Sequence, residues 1–512
     1  MKIMKQNKEN IIDNYNFDNN LISWYMYINY GILKPLKWQK PLFKILAYAM
    51  NGKVSKILIS TPPQHGKTVL LCEAFISYYM VNCPNDKVIV TAYSQDRATK
   101  YGLRIRNIIN KFGENTHYKP KLSQDQQTKT NFILSDPYEG ELLATGAHGS
   151  IMGNPANLIV IDDPIKELKD AQSKTMQENL KEWYIGSINT RLRKNSMGRP
   201  PILIVVAQRL HLRDMQGIIK EIAPVMDGYE ALQILENGGS IDKDTFIDLN
   251  FPALCIDEEK DLCNRKKGEP LWSNHKNKKD LLNDRKLMGE YRFNTIMQGK
   301  PVKQMGTLFK REWFYNKEGK LNCIVPIELV KPMLRKIRTW DLSARFDYTD
   351  LDGADEVSGV LTSKDPVNNT LYVYNLVNGK FTANQLLNTM KKTIYNDGNN
   401  VITNIEQEGG SHSVLFITQL ENEMNKYKVI HHKPVGSKAY RAIELQALAE
   451  TGRLKFVIDT QSNKDWITKT IEQLIAFDGS DSNAKEKKHD DILDSLSASA
   501  NYWLVDSKQP VI

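Results

Sequence analysis

The sequence has few cysteines and no long apolar run. Five cysteines occur in 512 residues, an odd and sparse number that fits a reducing compartment and excludes a disulfide framework. Cys255 and Cys263 are the closest pair, but no second pair accompanies them to complete a zinc site. No stretch approaches ~18 consecutive apolar residues, so we expect no membrane span. The first twenty residues are polar, and we expect no secretory signal there.

Charge is unevenly distributed along the chain. The formal net charge is +9. From Lys336 to the end there are 20 Lys and Arg against 24 Asp and Glu, whereas the preceding residues hold 49 against 36. A basic first part indicates a polyanionic partner, and an acidic second part is suited to divalent metal ions. Charge that merely keeps a large protein in solution is the alternative, so charge alone decides neither point.

In the first half, apolar runs rich in β-branched residues alternate with amphipathic segments. The runs are KILIS (56–60), KVIVTAYS (87–94), NLIVIDD (157–163) and PILIVVAQR (201–209). Continuous apolar runs are typical of strands buried on both faces. Strands that alternate with helical segments predict a mostly parallel sheet covered by helices on both faces. We predict an α/β domain over residues 31–240, preceded by an N-terminal extension at 1–30.

The pattern changes after residue 240. Residues 241–300 are polar and helical in parts, which predicts a small lid subdomain, and residues 301–335 are a candidate linker. A second strand-rich region follows over 336–506. Its strands are KIRTWDLS, EVSGVLTS, TLYVYNLVNG and NVITNIEQE, and its helical segments include ANQLLNTMKKTIYN and DDILDSLSASANYWL. We predict a second α/β domain here.

The segment STPPQHGKT (60–68) ends in the Gly-Lys-Thr of a nucleotide-binding P-loop. It lies between the strand KILIS and the helical segment TVLLCEAFISYYM. In such a loop, backbone N–H groups surround phosphate oxygens, Lys67 reaches the β- and γ-phosphates, and Thr68 binds Mg²⁺. Thr61 stands where the usual pattern has its first glycine, which weakens the match. The predicted nucleotide-binding residues of the loop are Thr61, Gln64, His65, Gly66, Lys67 and Thr68.

A second nucleotide-site element is the strand NLIVIDD, whose two final aspartates begin 95 residues after Lys67. Asp162 is predicted to hold the Mg²⁺ shell, and Asp163 to orient or deprotonate the attacking water. A buried strand that simply ends in a turn is the alternative, but its occurrence together with Gly-Lys-Thr favours an ATP site. Upstream, Trp38 and Gln39 form an aromatic–Gln pair that can contact adenine; a core Trp beside a surface Gln is the alternative.

Separated acidic residues mark the second region. Asp341 ends KIRTWD, Glu406 ends NVITNIE, and HDDILDSL opens the last helix with Asp491 and Asp494 on nearly one face. Such carboxylates can meet at one end of a sheet and bind two divalent ions ~3.5–4 Å apart. Without a cation their mutual repulsion is costly. The alternatives are that the aspartates only cap the helix and that Asp341 is a turn residue.

In this order, the motifs resemble the large terminase subunit of tailed bacteriophages or a related prophage element. STPPQHGKT, NLIVIDDPIKELKDAQS, INTRL and ILIVVAQRLHLRDMQG resemble the family's ATPase, and the acidic motifs resemble its RNase H-like nuclease. The resemblance extends over roughly residues 30 to 505. It implies a P-loop ATPase with a small lid, joined to an RNase H-like domain. The resemblance further implies that the ATPase would drive double-stranded DNA into a procapsid, and that the endonuclease would cut concatemeric DNA when packaging begins and ends.

The resemblance also implies roles for acidic and basic residues of the second region. Asp341, Glu406 and Asp491 take the catalytic places, with Asp494 as a supporting metal ligand. Asp355 is a further acid near the site, and Glu408 competes weakly with Glu406.

The segment GSKAYRAIELQALAETGRLKF (436–456) matches a Lys-x-x-Arg-Ala segment of the family. Lys438 and Arg441 are therefore expected to contact DNA phosphates, which fixes position without reading sequence. Solvated surface cations are the alternative.

Three departures from the family pattern concern arginine and acid positions. Gln64 and Asn154 stand where the family often has arginine, and Asp163 stands where it often has glutamate. The source of an arginine finger, worth ~10³-fold or more in rate, is thus open. The candidates are Arg97, Arg104, Arg106, Arg191 and Arg209.

The resemblance implies ATP with Mg²⁺ for the motor and two divalent ions, Mg²⁺ or Mn²⁺, for the nuclease. Implied partners are double-stranded DNA, the portal protein, the small terminase subunit and further copies in a ring, expected to be a pentamer, with a monomer in solution left open. The expected location is the bacterial host cytoplasm, transiently at the procapsid portal.

Two alternatives to this function remain. One is a helicase- or recombination-type DNA-dependent ATPase whose second domain binds DNA without cleaving it, and the other is a degenerate scaffold. Clustered acids that repel phosphate argue against both.

Overall fold

The computed structural model describes residues 20–147, 149, 151, 153–301, 308–342, 356–407, 411–434, 436–459, 464–477 and 491–506. The chain divides into two compact units, Met1–Arg285 with Tyr291–Val302, and Lys286–Glu290 with Lys303–Ile512. Among the described residues, no helix is long and apolar enough to cross a membrane.

A nine-stranded sheet lies at the centre of the first unit. Its strands are β1 (Lys56–Ser60), β2 (Lys87–Ala92), β3 (Leu122–Gln127), β4 (Asn131–Leu134), β5 (Glu141–Gly146), β6 (Leu158–Asp162), β7 (Ile202–Ala207), β8 (Val225–Asp227) and β9 (Phe246–Asn250). The strand order is β3-β4-β5-β2-β6-β7-β1-β9-β8. The strands from β5 to β8 in this order pair in parallel, and β3 and β4 add an antiparallel edge.

Helices cover this sheet. They are α1 (Leu21–Ile28), α2 (Gln39–Met50), α3 (Ile76–Asn82), α4 (Gln95–Phe112), α5 (Leu168–Gln172), α6 (Lys174–Glu182), α7 (Met215–Ile222) and α8 (Gly228–Glu236). A further helix, α9 (Lys278–Arg292), is kinked at Gly289, and its residues Lys286–Glu290 belong to the second unit. π-Helical turns are Val69–Phe75, Trp183–Ile188 and Phe293–Met297. Short 3₁₀ turns are Gly113–Asn115 and Asn189–Arg191.

Burial on both faces of the sheet follows from the continuous apolar runs. In β1, Ile57 and Ile59 join one hydrophobic cluster, and Leu58 joins the cluster on the opposite face. Side chains of successive strand residues point to opposite faces, so a strand covered by helices on both sides must be apolar throughout. The predicted parallel sheet with helices on both faces is confirmed.

A seven-stranded sheet lies in the second unit. Its strands are β10 (Ile324–Pro326), β11 (Lys336–Asp341), β12 (Val357–Asp365), β13 (Thr370–Gly379), β14 (Val401–Glu406), β15 (Val429–His432) and β16 (Leu454–Ile458), in the order β10-β16-β13-β12-β11-β14-β15. Its helices are α10 (Ala383–Asp397), α11 (Ser411–Glu423), α12 (Lys438–Glu450), α13 (Asp465–Ala476) and α14 (Asp491–Asp506), with 3₁₀ turns at Arg311–Trp313 and Ile327–Leu329. β11 to β13 form an antiparallel meander, and β14 and β15 extend it in parallel.

The observed sheets extend past the boundaries suggested by the sequence. β9 lies beyond residue 240 and pairs with β1 along its whole length, so it belongs to the first sheet. β10 lies inside the suggested linker and pairs with β16. α1 precedes residue 31, yet it contributes Trp24 to the first core. These elements are short or lack a β-branched run, and their partners are distant in sequence.

Candidate functional site

The loop after β1 enters the π-helical turn Val69–Phe75, as a P-loop requires. Two of its residues have positive φ, Gln64 at 62° and Gly66 at 80°. Thr61 is not among the positive-φ residues of the described chain, and its N–H donates to Ala207 O at 3.4 Å. A threonine at this position therefore causes no left-handed backbone strain, and the conformational freedom of glycine is used at Gly66 instead.

Lys67 and Thr68 each contact one aspartate of the pair that ends β6. Lys67 Nζ donates to Asp163 Oδ1 at 2.6 Å, and Thr68 Oγ1 donates to Asp162 Oδ2 at 3.3 Å. β1, β7 and β6 are parallel neighbours, so their carboxyl ends meet at one edge of the sheet. The structure thus brings these four predicted residues together.

Asp163 is held in an unusual conformation. Its φ is 42°, a left-handed value that costs free energy in a residue with a Cβ and is found at functional sites. Its N–H donates to Val206 O at 2.9 Å, and its Oδ1 accepts from the backbone N–H of Gln208 at 3.0 Å. Backbone groups at the end of β7 therefore fix this carboxylate.

Asp162 is fully buried. Its Oδ2 accepts from the Tyr101 hydroxyl, while its buried Oδ1 has no hydrogen-bond partner among the described residues. Burial, and then the charge of Asp163, raise the pKa of Asp162. Tyr101 was missed by the sequence reasoning. Its position in the sequence could have indicated this contact. Tyr101 lies on the helix that follows β2, and the carboxyl end of β2 lies beside that of β6.

The other predicted nucleotide-binding residues differ in their accessibility. Gln64 is exposed at the loop, whereas His65 is buried, with Nδ1 2.8 Å from Pro63 O. Burial lowers the pKa of His65 to about 4, so the ring is neutral at pH 7. Gln39 is buried, and its Oε1 accepts from Leu36 N–H at 2.9 Å. Trp38 is buried too and packs on Phe251. A contact of Gln39 with adenine remains a prediction.

In the second unit, two predicted carboxylates lie side by side. β11 and β14 are parallel, and their register pairs Asp341 with Glu406. Both side chains are buried. Two adjacent buried acids require a compensating positive charge.

That charge comes from α12. Arg441 donates to Glu406 Oε1 at 2.8 Å and to Asp494 Oδ1 at 2.9 Å, and Lys438 Nζ lies 2.8 Å from Asp494 Oδ2. Burial disfavours the Arg441 charge, but the carboxylates, Glu406 first, outweigh burial and raise its pKa. The two residues expected to contact phosphates are thus ion-paired with the acids themselves.

α14 brings its acids to the same end of the sheet. Ser495 and Ser499 hydrogen-bond to Ser358 and Thr362 of β12 at 2.7 and 2.6 Å. Asp491 is the first residue of the helix, and Asp494 lies one turn further. Across the described ranges, no three His, Cys, Asp or Glu side chains form a ready group for one ion. Asp355 and Glu408 lie outside the described residues, as does Asp490, the first aspartate of the segment HDDILDSL.

Two family models match the chain, one on each unit. Residues 58–191 match the model of the terminase large subunit, T4likevirus-type, N-terminal domain, and residues 338–502 match the terminase RNaseH-like domain. Together the two matches cover more than half of the chain, and they include both acidic clusters. The chain belongs to the terminase large subunit family. As a large terminase it is a DNA-packaging motor of bacteriophages, with ATPase and endonuclease activity. The predicted family is confirmed, and the helicase alternative finds no support.

Solved structures of large terminases and of their nuclease domains are also similar to this chain. One of them, the large terminase of a thermophilic bacteriophage in its third crystal form, is 11% identical, covers 91% of this chain and 99% of its own, and has a TM-score of 0.48. The HK97 bacteriophage large terminase is 12% identical, covers 86% and 90%, and has a TM-score of 0.36. The SPP1 nuclease domain with bound Mn is 15% identical, covers 35% and 97%, and has a TM-score of 0.23. A search of curated protein sequences finds no match. The family assignment therefore rests on the two family models.

Proposed function

We propose that ATP binds to the loop after β1 and that the four contacting residues carry out its hydrolysis. Lys67 binds the terminal phosphates, and Thr68 with Asp162 holds Mg²⁺. Asp163 orients the attacking water and accepts its proton. The observation that carries this proposal is the double contact of Lys67 with Asp163 and Thr68 with Asp162 at one sheet edge. The loop residues Thr61, Gln64, His65 and Gly66, and Gln39, line the nucleotide in this proposal.

The residues at Asp162 fit a magnesium ion. Mg²⁺ prefers oxygen ligands and keeps several waters, binding through one or two protein groups. A buried carboxylate oxygen that lacks a partner in the described structure is a group that an ion or its water would satisfy. When bound, Mg²⁺ neutralises charge on the phosphate oxygens.

In the nuclease, we propose that Asp341, Glu406 and Asp491 are the catalytic carboxylates, with Asp494 supporting them. The oxygen donors suit Mg²⁺ or Mn²⁺, and two such ions activate water and stabilise a leaving 3′-oxygen. In the structure, the Arg441 guanidinium lies between Glu406 and Asp494 and donates a hydrogen bond to each. Lys438 and Arg441 remain close enough to the acids to bind a phosphate of double-stranded DNA.

The proposed domains are an ATPase over residues 31–240 together with α1 and β9, a lid within 241–300, a linker over 301–335 apart from β10, and a nuclease over 336–506 together with β10. The proposed partners are the portal protein, the small terminase subunit and further copies in a ring. The family assignment supports DNA-packaging partners in general. The proposed location is the host cytoplasm.

Paired variants of the full chain test the two sites separately. Lys67→Ala should lower ATP hydrolysis by at least ~10²-fold while plasmid nicking with Mn²⁺ stays within twofold. Asp341→Asn should lower plasmid nicking by at least ~10²-fold while ATP hydrolysis stays within twofold. Undiminished hydrolysis by Lys67→Ala would remove the P-loop assignment, and undiminished nicking by Asp341→Asn would remove the nuclease assignment.

A further inference from the structure

The contacts in the structure distinguish between the five arginines that are candidates for the arginine finger. Of these five, Arg97 is the one whose described contacts include both Asp162 and Asp163. The described contacts of the other four are with other groups: Arg104, which lines the same cavity as Arg97, with Glu73, Arg106 with Gln127 O, Arg191 with Thr190 and Arg209 with Asp214.

The guanidinium of Arg97 lies between the acidic pair and solvent. Its Nη2 is 3.6 Å from Asp162 Oδ2 and 4.0 Å from Asp163 Oδ2. The Arg97 side chain is 36% exposed, whereas Asp162 is completely buried. A ligand that approaches the two aspartates from solvent on this side therefore meets Arg97 first.

Helix α4 sets this position. Its N-cap, Ser94, lies two residues after the end of β2, and β2 is the parallel neighbour of β6. Arg97 and Tyr101 are four residues apart and share one helix face. Arg97 Nε donates to Tyr101 Oη at 2.6 Å, and the same hydroxyl donates to Asp162. Tyr101 thus joins the arginine to the fixed carboxylate.

A cavity of about 800 Å³ opens beside these groups. Thr68, Arg97 and Tyr101 are among its lining residues. Thr68 directly follows Lys67 of the loop, so the cavity borders the phosphate end of the proposed ATP site. Lys67 and Arg97 lie at different oxygens of Asp163, Oδ1 and Oδ2, so a terminal phosphate beside Asp163 can meet both cations.

We propose that Arg97 is a catalytic residue that contacts the terminal phosphate of ATP bound to the same chain, positioned by Tyr101; this rests on the ATP site proposed above. During hydrolysis water attacks the terminal phosphorus, its proton passes to Asp163, and the bond to the ADP oxygen breaks. Negative charge spreads over the three equatorial oxygens, where a guanidinium stabilises it. No bond of the arginine changes.

Steady-state ATP hydrolysis by full-length variants tests the role. Arg97→Gln should lower kcat by about 10³-fold with KM within threefold, because the charge acts in the transition state. Tyr101→Phe should lower kcat by about tenfold, again with KM unchanged. The matched control Arg106→Gln makes the same substitution on the same helix and should stay within twofold. Plasmid nicking reports the integrity of each variant.

Mixing experiments test whether Arg97 acts within its own chain. When Arg97→Gln and Lys67→Ala chains are mixed in equal amounts, the rate of ATP hydrolysis should not exceed the sum of the rates of the two variants measured separately. Recovery in the mixture would overturn the proposal, because Arg97 would then serve a neighbouring copy. Wild-type kcat in Arg97→Gln would also overturn it, while inactive Lys67→Ala would leave the ATP site standing. Hydrolysis by Lys67→Ala would instead refute the ATP site itself.

Discussion

In both sites, the negative charge of the carboxylates is neutralised by nearby basic side chains. In the first unit, Lys67 and Arg97 neutralise the aspartates that end β6. In the second unit, Arg441 neutralises Glu406 at the end of β14 and, together with Lys438, Asp494 of α14. A buried acid without such a partner would lose its charge by a raised pKa or destabilise the fold. These basic side chains therefore stabilise the sites before any cation or phosphate binds.

Removal of Arg441 should make the stability of the nuclease depend on metal. Arg441→Gln leaves Glu406 and Asp494 without their shared guanidinium, and breaking a buried ion pair costs about 3–5 kcal/mol. A divalent ion replaces the missing charge. We expect a lower Tm than wild type in EDTA and a larger gain of Tm on adding Mn²⁺.

Arg338→Gln is the matched control for this prediction. Arg338 is buried in the same unit and donates to both oxygens of Asp397 at 2.8 and 2.7 Å. Its loss should lower Tm in EDTA without a larger response to Mn²⁺. An equal Mn²⁺ response in the two variants would contradict the prediction.

At the scale of elements, strand β11 positions the catalytic Asp341, and the packing of its neighbour Trp340 against β12 keeps the strand end in place. Trp340 is fully buried next to Asp341 on β11, and its indole lies against Gly359 of the neighbouring strand β12. A Cβ added to Gly359 would lie 2.6 Å from Trp340 Cε3. The aromatic ring leaves no room for a Cβ at this position, so a glycine is required there.

Gly359→Ala should therefore impair the nuclease through packing. The indole must shift, at a cost of about 1–3 kcal/mol for an overpacked core, and Asp341 moves with its neighbour. We expect nicking to fall about tenfold while ATP hydrolysis stays unchanged. Gly186→Ala is the control, since a Cβ there meets nothing within 4 Å. Wild-type nicking by Gly359→Ala, measured at 25 °C, would show that Trp340 does not hold Asp341.

At the scale of the whole molecule, the sequence predicted the parts that depend on local pattern. Runs such as KILIS and LIVID predict doubly covered strands, and the acids that end KIRTWD and NVITNIE predict which carboxylates meet at a sheet edge. Pairings between distant segments were not predictable in this way. β9 joins β1 across almost two hundred residues, and Tyr101 of helix α4 reaches Asp162 at the end of strand β6. Local periodicity carries no information about such contacts.

The charge distribution of the whole chain predicts how DNA binding responds to salt. The residues before Lys336 hold 49 basic and 36 acidic side chains, so a phosphate backbone is attracted mainly to this part. Each neutralised phosphate releases counterions, and log K falls with log salt at a slope of about −0.9 per contact. With about six contacts, affinity for a 30-base-pair duplex should fall roughly 10³-fold between 50 and 200 mM NaCl.

Fluorescence anisotropy of the full chain in EDTA, which prevents cleavage, measures this slope. Duplexes of unrelated sequence should give the same slope and similar affinities, because phosphate contacts carry no sequence information. The Asp341→Asn chain should bind with the same slope in Mg²⁺, which separates binding from cutting. A slope near zero would show that base or shape contacts, rather than the basic first part of the chain, hold the DNA.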